Sequence, residues 1–297
     1  MSHIQQTNVK LLGGKKRYLF LAPSFAIYMA IIVVPAFYSL YLSFHSWRGG
    51  KSQMEFLGFD NYVKVFTQDT TFGIAIRNNL IWVLLTLIVT VSVALLLALL
   101  LNQTFRGRTA VRGILYFPYI LSGVVVGMIW TWVYQPQYGL YNAIMETLNL
   151  SQFKHSWLAD VNTSFVAIYI AALWRGVGQP MVLFLAGLQS VPHELIEASR
   201  IDGASKLQSF IHVTVPQLRE TFFIVYATQF ISSLKVYDIV KTMTNGGPAE
   251  RTNTLATLMV RQTFEFANFG TGAAISWIMI MILLVVIVPY VIKMSRD

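Results

Sequence analysis

Residues 81–101 read IWVLLTLIVTVSVALLLALLL, a run of 21 positions without a charged side chain. Thr86, Thr90 and Ser92 are the polar interruptions of this run. A helix needs about 20 consecutive apolar residues to span the hydrocarbon core of a bilayer. The run therefore predicts a transmembrane helix, and the chain is expected to be an integral membrane protein.

Composition supports the same interpretation. Of the 297 residues, 55% are hydrophobic and 12% are charged, whereas about a quarter of the residues of a soluble domain carry charge. So few charged side chains cannot cover a water-facing surface, and much of the chain must therefore contact lipid. The chain has no cysteine, which excludes disulfides and thiolate catalysis.

Five further apolar segments are long enough to span the membrane, which predicts an all-α integral membrane fold of six helices. The first segment is too long for the apolar region of a cleaved signal peptide. We expect a segment at 1–17, a membrane domain at 18–292 and a tail at 293–297. The five segments are 18–44, 113–134, 164–188, 219–240 and 270–292.

The basic residues predict the orientation of the chain. With six spans both termini lie on one side, and that side collects most of the lysine and arginine, whereas the opposite loops mix basic with acidic residues. Basic loops are retained in the cytoplasm during insertion, so both termini are expected there, and the net charge of +9 needs no nucleic acid. The basic residues on the side predicted to be cytoplasmic are Lys10, Lys15, Lys16, Arg17, Arg106, Arg108, Arg112, Arg200, Lys206, Arg219, Lys293 and Arg296.

The predicted spans differ in polarity. The second and sixth are almost entirely aliphatic, which places them at the lipid-facing periphery, whereas the fourth carries Arg175 and Gln179 on one face. The fifth carries a polar stripe over about half its circumference, and a stripe of this kind must face protein or water. Two interpretations stay open, hydrogen bonds between helices and a water-filled pathway. The stripe consists of Thr221, Thr228, Gln229, Ser232, Ser233 and Lys235.

The cytoplasmic loop at about 189–217 predicts two short helices separated by a break. Ser190 or Pro192 can begin the first helix, and Gly203 can supply the left-handed residue that ends it. Pro216 marks the entry to the fifth span. A short surface helix with small residues suits insertion into a groove of a partner protein.

This loop resembles the cytoplasmic signature of ABC importer permeases, which reads E-A-A, three residues, G, nine residues, I-x-L-P. The chain has Glu197-Ala-Ser199, Gly203 and Val213-Thr-Val-Pro216 at that spacing, with Ser for the last alanine and valine for Ile and Leu. The resemblance implies a coupling helix that docks into a cleft of a cytoplasmic ATPase. The positions that it assigns to coupling are Glu194, Glu197, Ala198, Arg200, Asp202, Gly203 and Ala204.

Looser motifs extend the resemblance over nearly the whole chain. Phe56–Tyr62, Phe117-Pro118 and Asn245-Gly-Gly-Pro248 are similar to segments of the maltose-type, binding-protein-dependent sugar permeases. This family implies a six-helix, type I transmembrane domain with a solute site on the spans that flank the coupling loop. By spacing, with only the glycine matching by residue type, that site falls on Arg175, Gly176, Gln179, Gln229, Ser232 and Ser233.

The resemblance also implies partners. They are a second, homologous permease that completes a heterodimer, two copies of a cytoplasmic ABC ATPase and an extracytoplasmic solute-binding protein, in a bacterial or archaeal cell membrane. The chain itself has no G-x-x-x-x-G-K-[ST] phosphate loop, no metal-ligand spacing among its histidines and no nucleophile elbow. We therefore expect no bound cofactor and no catalysis in this chain, with ATP and magnesium used by the ATPase.

Two other functions fit the sequence less well. An ion-driven secondary transporter usually keeps carboxylates or histidines inside the membrane, but the deep parts of five spans contain none, and the remaining span has only Asp238, near its outer end and three residues from Lys235, its expected partner. Such transporters also commonly carry inverted repeats, which are absent. A membrane-embedded enzyme would need convergent reactive groups at membrane depth, and none occur.

Overall fold

The structure is a computed structural model that describes the backbone of residues 14–296 and the side chains of residues 20–294. The predicted segment at 1–17 thus lies mostly outside the described residues. Helix α1 (Gly14–Tyr28) continues through a π-helical turn at Met29–Val33 into α2 (Val34–Ser43). Pro35 has no backbone N–H for an α-helical hydrogen bond. The apolar part, Phe20–Ser43, matches the first predicted span, and no residue of its most apolar 18-residue window is buried within the chain.

A two-stranded antiparallel hairpin of β1 (His45–Ser46) and β2 (Glu55–Phe56) follows the first span. Helix α3 (Asp60–Thr67) leads into α4 (Thr70–Leu85), whose first turn is capped by the carboxylate of Asp69. A π-helical turn at Thr86–Thr90 joins α4 to α5 (Val91–Asn102), and together they form an apolar helix of 33 residues.

The second span is not peripheral, contrary to the prediction. A third of its most apolar window is buried, against 11% for the last span. Ala94 and Ala98 on α5 are fully buried against the helix at 178–190. Small side chains four residues apart let two helices approach closely in a membrane. Hydropathy cannot separate this surface from a lipid-facing one, because alanine and leucine are apolar in both.

The third predicted span, 113–134, is broken rather than continuous. The chain bends by 101° between helices α6 (Arg108–Ile120) and α7 (Gly123–Val133). Pro118 lies in the last turn of α6, and the hydroxyl of Ser122 accepts a hydrogen bond from the Val125 N–H to begin α7. A proline followed by a capping serine ends one helix and starts another.

The fourth predicted span is also bent. After helix α8 (Leu140–Thr147), which the orientation prediction places outside the cell, and a 3₁₀ turn at Ser151–Phe153, the chain forms α9 (Ser164–Gly176) and α10 (Gly178–Ser190), with a bend of 41° between them. Val177, between the two helices, keeps helical dihedrals. The polar residues predicted for the fourth span lie on either side of this bend.

The loop at about 189–217, predicted to be cytoplasmic and called the cytoplasmic loop for that reason, contains α11 (His193–Ile201), α12 (Lys206–Ser209), a π-helical turn at Phe210–Thr214 and α13 (Val215–Gln217). Helix α14 (Arg219–Leu234) is the fifth predicted span, and it ends at Leu234 instead of near 240. The remaining elements, which follow on the chain, are α15 (Asp238–Met243), α16 (Leu255–Val260), a π-helical turn at Arg261–Glu265 and α17 (Phe269–Arg296).

Among the described residues, three helices are long and apolar enough to cross a membrane, and the two bent pairs bring the number to five. The 16 residues of α14 make it the shortest of the predicted spans. The core consists of three clusters. One joins α5 to α10 and α14, one joins α7, α9 and α15, and one joins α3, α4, α16 and α17.

Gly187 sets the distance between α10 and α14. A methyl group there would overlap the hydroxyl of Thr221 and lie 3.0 Å from Leu218 Cδ2. We expect Gly187→Ala to reduce the free energy of unfolding by about 1–3 kcal/mol, since the helices must separate. Thermal unfolding of the purified protein in detergent measures this loss.

Gly113 provides the matched control, because a methyl group on this glycine of α6 meets nothing within 4 Å. Gly113→Ala should leave stability unchanged or raise it slightly through better helix propensity. Equal unfolding temperatures for the two variants would show that α10 and α14 do not depend on close approach at Gly187.

Candidate functional site

A polar cavity of about 120 Å³ lies between α4, α9 and α14. These three helices supply most of its wall, together with the π-helical turn after α4 and the start of α15. The wall mixes hydroxyl, amide, guanidinium and aromatic groups. Its lining residues are Trp82, Thr86, Thr90, Tyr169, Ala172, Leu173, Arg175, Gly176, Gln229, Ser232, Ser233, Val236 and Ile239.

Five of the six predicted pathway residues line this cavity, namely Arg175, Gly176, Gln229, Ser232 and Ser233. The sixth, Gln179, is joined to the wall because Gln229 Nε2 donates a hydrogen bond to Gln179 Oε1 at 3.3 Å. The structure thus brings together residues 50 positions apart in sequence. Contact with a solute stays a prediction.

Arg175 lies at the break between α6 and α7. Its Nε donates to the carbonyl of Leu121 at 3.0 Å, and Leu121 is the extended residue that follows α6. A carbonyl at a helix end has no partner inside the helix, so the guanidinium satisfies it. Arg175 therefore serves the helix-to-helix contact with one nitrogen while it borders the cavity.

The two adjacent serines of α14 differ in environment. Ser232 is exposed, whereas Ser233 is 3% exposed and its hydroxyl donates to the Phe230 carbonyl at 2.8 Å. Thr228, in the predicted stripe, also bonds within its own helix, to the Ile224 and Val225 carbonyls. The stripe is therefore divided, and Gln229 and Ser232 are the members with polar groups open to the cavity.

Sequence reasoning missed the contribution of α4, and of Tyr169 on α9, to this wall. Tyr169 donates its hydroxyl to the Leu85 carbonyl at 2.8 Å and lies 2.9 Å from Thr90 Oγ1. The ring of Trp82 packs edge-on against Tyr169 at 5.4 Å. The sequence did contain a signal for this part of the wall. Thr86 and Thr90 interrupt the apolar second span at a spacing of four, so they share one helix face.

Lys235 and Asp238 do not form the expected ion pair. Within the side chains that the structure describes, both are exposed and no ion pair joins them. Because α14 ends at Leu234 and α15 begins at Asp238, the two residues do not share a helix face. The spacing argument assumes one continuous helix up to 240.

The external segment with the motif Asn245–Pro248 leads to a group of ion pairs. Arg261 contacts Glu250, and Lys241 contacts Glu265. The hydrogen bond from Lys241 holds the pKa of the Glu265 carboxyl below its usual range. An open cavity of about 440 Å³ lies beside them, bordered also by Asp69 and Gln262.

The cytoplasmic loop has the predicted break. Gly203 adopts φ +84°, the left-handed conformation that ends α11, and Ser205 caps α12 together with Gln208. Ser199 and Ser209 place their hydroxyls 2.7 Å apart, which joins the two helices. The departure from the E-A-A pattern at Ser199 thus has a structural use that the sequence did not reveal.

No part of the chain that the structure describes covers the outward face of this loop. The side chains of Glu194, Glu197, Arg200 and Asp202 are exposed, as is Ala198, and Ala204 is half-buried. Three apolar side chains on the loop also face outward, Leu195 at 41%, Leu207 at 67% and Ile201 at 87% exposure. Exposed apolar patches on a folded protein mark interaction surfaces.

Residues 90–295 match the family described as "Binding-protein-dependent transport system inner membrane component". The chain belongs to this family. It is an inner-membrane permease component of an ABC-type importer, and the family match gives no support for an ion-driven transporter.

Individual relatives match along nearly their full length. A probable ABC transporter permease protein of Pyrococcus horikoshii is 35% identical over 92% of this chain and 93% of its own. The osmoprotective compounds uptake permease protein of Synechocystis sp. is 35% identical, with 94% and 97% covered. The trehalose/maltose transport system permease protein of Thermococcus litoralis is 29% identical, with 98% and 97% covered.

The fold has solved counterparts. A crystal structure of a bacterial ABC transporter involved in the import of the acidic polysaccharide alginate superposes with a TM-score of 0.82, covering 95% of both chains at 22% identity. The all-α membrane fold of this importer permease, with its broken helices, is therefore the expected type I transmembrane domain.

Substitution of Gly203 tests the geometry of the cytoplasmic loop. Gly203→Val should disturb the turn, because a β-branched residue is strained at positive φ, and the second helix would be misdirected. We expect at least a several-fold loss of uptake by the assembled transporter. The amount of ATPase that copurifies with the permease reports whether docking is lost as well.

Gly203→Asn is the matched control, because asparagine tolerates the left-handed conformation. It should retain most of the uptake. Normal uptake by Gly203→Val would show that the break does not have to be left-handed for the loop to act.

Proposed function

We propose that this permease forms half of the translocation pathway for a polyhydroxylated solute, a sugar or an oligosaccharide, and that ATP hydrolysis in a separate subunit drives import. The observation that carries the proposal is the polar cavity between α4, α9 and α14. It lies on the helices that flank the cytoplasmic loop, α9–α10 and α14, together with the second span.

The chemistry of the cavity suits a neutral, hydroxyl-rich solute. Gln229 offers an amide donor and acceptor, Ser232 a hydroxyl, and Arg175 donors only. Trp82 and Tyr169 add aromatic surface to the same wall. The lining contains no carboxylate, so a cationic solute would meet no counter-charge there. The name of the Thermococcus relative, for trehalose and maltose, supports this solute class.

We assign the coupling of ATP hydrolysis to the cytoplasmic loop at about 189–217. Its outward face presents Glu194, Glu197, Ala198, Arg200 and Asp202 beside Leu195 and Ile201. A charged rim around apolar side chains suits a cleft in another protein. In this proposal Gly203 and Ala204 set the turn, and the ATPase, not this chain, uses ATP and magnesium.

Exposed surfaces of this chain also support its being one half of a larger membrane complex. No residue of the most apolar 18-residue window of its first span is buried. Ser232, Lys235 and Asp238 are exposed in a part of the chain expected at membrane depth, where polar groups must face protein or water. We propose a heterodimer with a homologous permease, two ATPase copies and an extracytoplasmic binding protein. Both termini are assigned to the cytoplasm from the distribution of basic residues.

Substitution of the cavity residues tests the pathway. Gln229→Leu and Ser232→Leu each remove hydrogen-bonding groups, and one hydrogen bond contributes about 1 kcal/mol net. Uptake of a radiolabelled sugar by the assembled transporter should fall several-fold in both variants, while ATP hydrolysis is still stimulated by the binding protein.

Thr228→Val serves as the control on the same helix, since the Thr228 hydroxyl bonds only its own backbone. Its uptake should match that of the unaltered protein. Unchanged uptake in both leucine variants would assign Gln229 and Ser232 to contacts between helices, and the cavity would then not be the pathway.

A further inference from the structure

Two adjacent asparagines lie buried in the second span. Asn78 is 7% and Asn79 is 2% exposed, on α4 and one turn before Trp82 at the cavity. A buried amide is costly unless its donors and acceptor are bonded. Both amides are bonded to parts of the chain more than 150 residues away.

Asn79 holds the ends of two helices at once. Its Nδ2 donates to the carbonyl of Leu234 at 3.2 Å, and its Oδ1 accepts from the N–H of Leu255 at 2.7 Å. Leu234 is the last residue of α14 and Leu255 is the first of α16. Backbone groups at these positions have no partner inside their own helix, so one side chain satisfies a helix end on each side.

Two neighbouring side chains extend this connection. Asn78 Nδ2 donates to the carbonyls of Arg251 and Asn253, each at 2.8 Å. Thr254, fully buried, donates its hydroxyl to the Val236 carbonyl at 2.9 Å. Residues 251–255 are therefore fixed both to α4 and to the segment that follows α14.

The connection joins an outer surface to the wall of the cavity. Glu250, next to residues 251–255, borders the open external cavity, whereas Ser233 and Val236, on either side of Leu234, line the polar cavity. The Asn79 amide also lies 3.5 Å from the Ser233 carbonyl. Hydrogen bonds to backbone therefore connect residues 251–255 with the end of α14.

We propose that Asn79 is a positioning residue that makes the outer end of α14, and with it the polar cavity, follow the external segment 251–255 when the binding protein docks. Asn78 and Thr254 hold the external segment to the same unit. The inference rests on the proposed function, because it presumes an extracytoplasmic partner and a pathway along α14. It assigns transmission of the docking signal to a side chain that contacts neither partner nor solute.

The test compares basal with binding-protein-stimulated ATP hydrolysis. The complete complex, with partner permease and ATPase, is reconstituted in phospholipid nanodiscs, and phosphate release is measured with and without saturating solute-loaded binding protein. For Asn79→Ala we expect stimulation to fall about tenfold, since buried donors and acceptors lose their partners, while the basal rate stays within about twofold.

Asn61→Ala is the matched control. Asn61 is also buried, and its amide also donates to two carbonyls, those of Ser43 and His45 at 2.9 Å each, but it connects α3 to the first span and does not touch α14. Stimulation should be retained in this variant. If both alanine variants reduce stimulation and basal rate together, Asn79 has only a structural role and the proposal is overturned.

Asn79→Leu is a second test variant, which keeps the proposal testable if Asn79→Ala does not assemble. Leucine is close to asparagine in size, so it leaves no cavity in the span, but it removes both the donor to Leu234 and the acceptor for the Leu255 N–H. Stimulation should fall as in Asn79→Ala, again with the basal rate retained. Full stimulation of Asn79→Leu would overturn the proposal even if Asn79→Ala fails to assemble.

Different results would contradict the proposed function and the role of Asn79. If the unaltered complex shows no stimulation by any loaded binding protein, the proposed function fails. If the unaltered complex is stimulated and Asn79→Ala is stimulated equally, the function stands and the role of Asn79 is wrong.

Discussion

Lipid cannot hydrogen-bond a peptide group, so backbone N–H and C=O groups at membrane depth must find partners in protein or in a water-filled cavity. This constraint governs the breaks in its helices. The end of α6 at Leu121 is satisfied by Arg175, and the end of α14 at Leu234 by Asn79. Both breaks lie next to the polar cavity, so the side chains that repair the backbone also fix the geometry of its wall. Broken helices in membrane proteins are tolerated where they line a cavity in this way.

The same constraint explains why polar residues on one helix have different uses. Ser233 and Thr228 return their hydroxyls to their own backbone, whereas Gln229 reaches Gln179 on α10 and Ser232 is left open. A polar stripe on a span is therefore not one functional unit. The two interpretations that the sequence leaves open, contact between helices and pathway, apply to different members of the stripe, and Arg175 combines a helix contact with a position at the cavity.

The predictions that are wrong concern local breaks and packing. Aliphatic composition places the second span at the periphery, yet Ala94 and Ala98 bury it against α10. Hydropathy predicts a straight third span, although Pro118 and Ser122 divide it. Spacing pairs Lys235 with Asp238 on a helix that ends before either of them. In each case a hydropathy or spacing rule is applied to a continuous helix, and the tertiary contacts favour a break or a buried face instead.

The sequence by itself determined that the chain is an apolar, largely helical membrane protein, and the spacing from Glu197 to Pro216 was sufficient to indicate its family. It also located the left-handed Gly203, because glycine adopts that conformation without the steric penalty that most other residues incur. The tertiary structure decided which polar residues meet. Tyr169, Thr90 and Trp82 joined the cavity, and Asn79 joined α14 to α16, through contacts between segments 79 to 176 residues apart. Periodicity along one helix describes its faces, but not the helix that each face will meet.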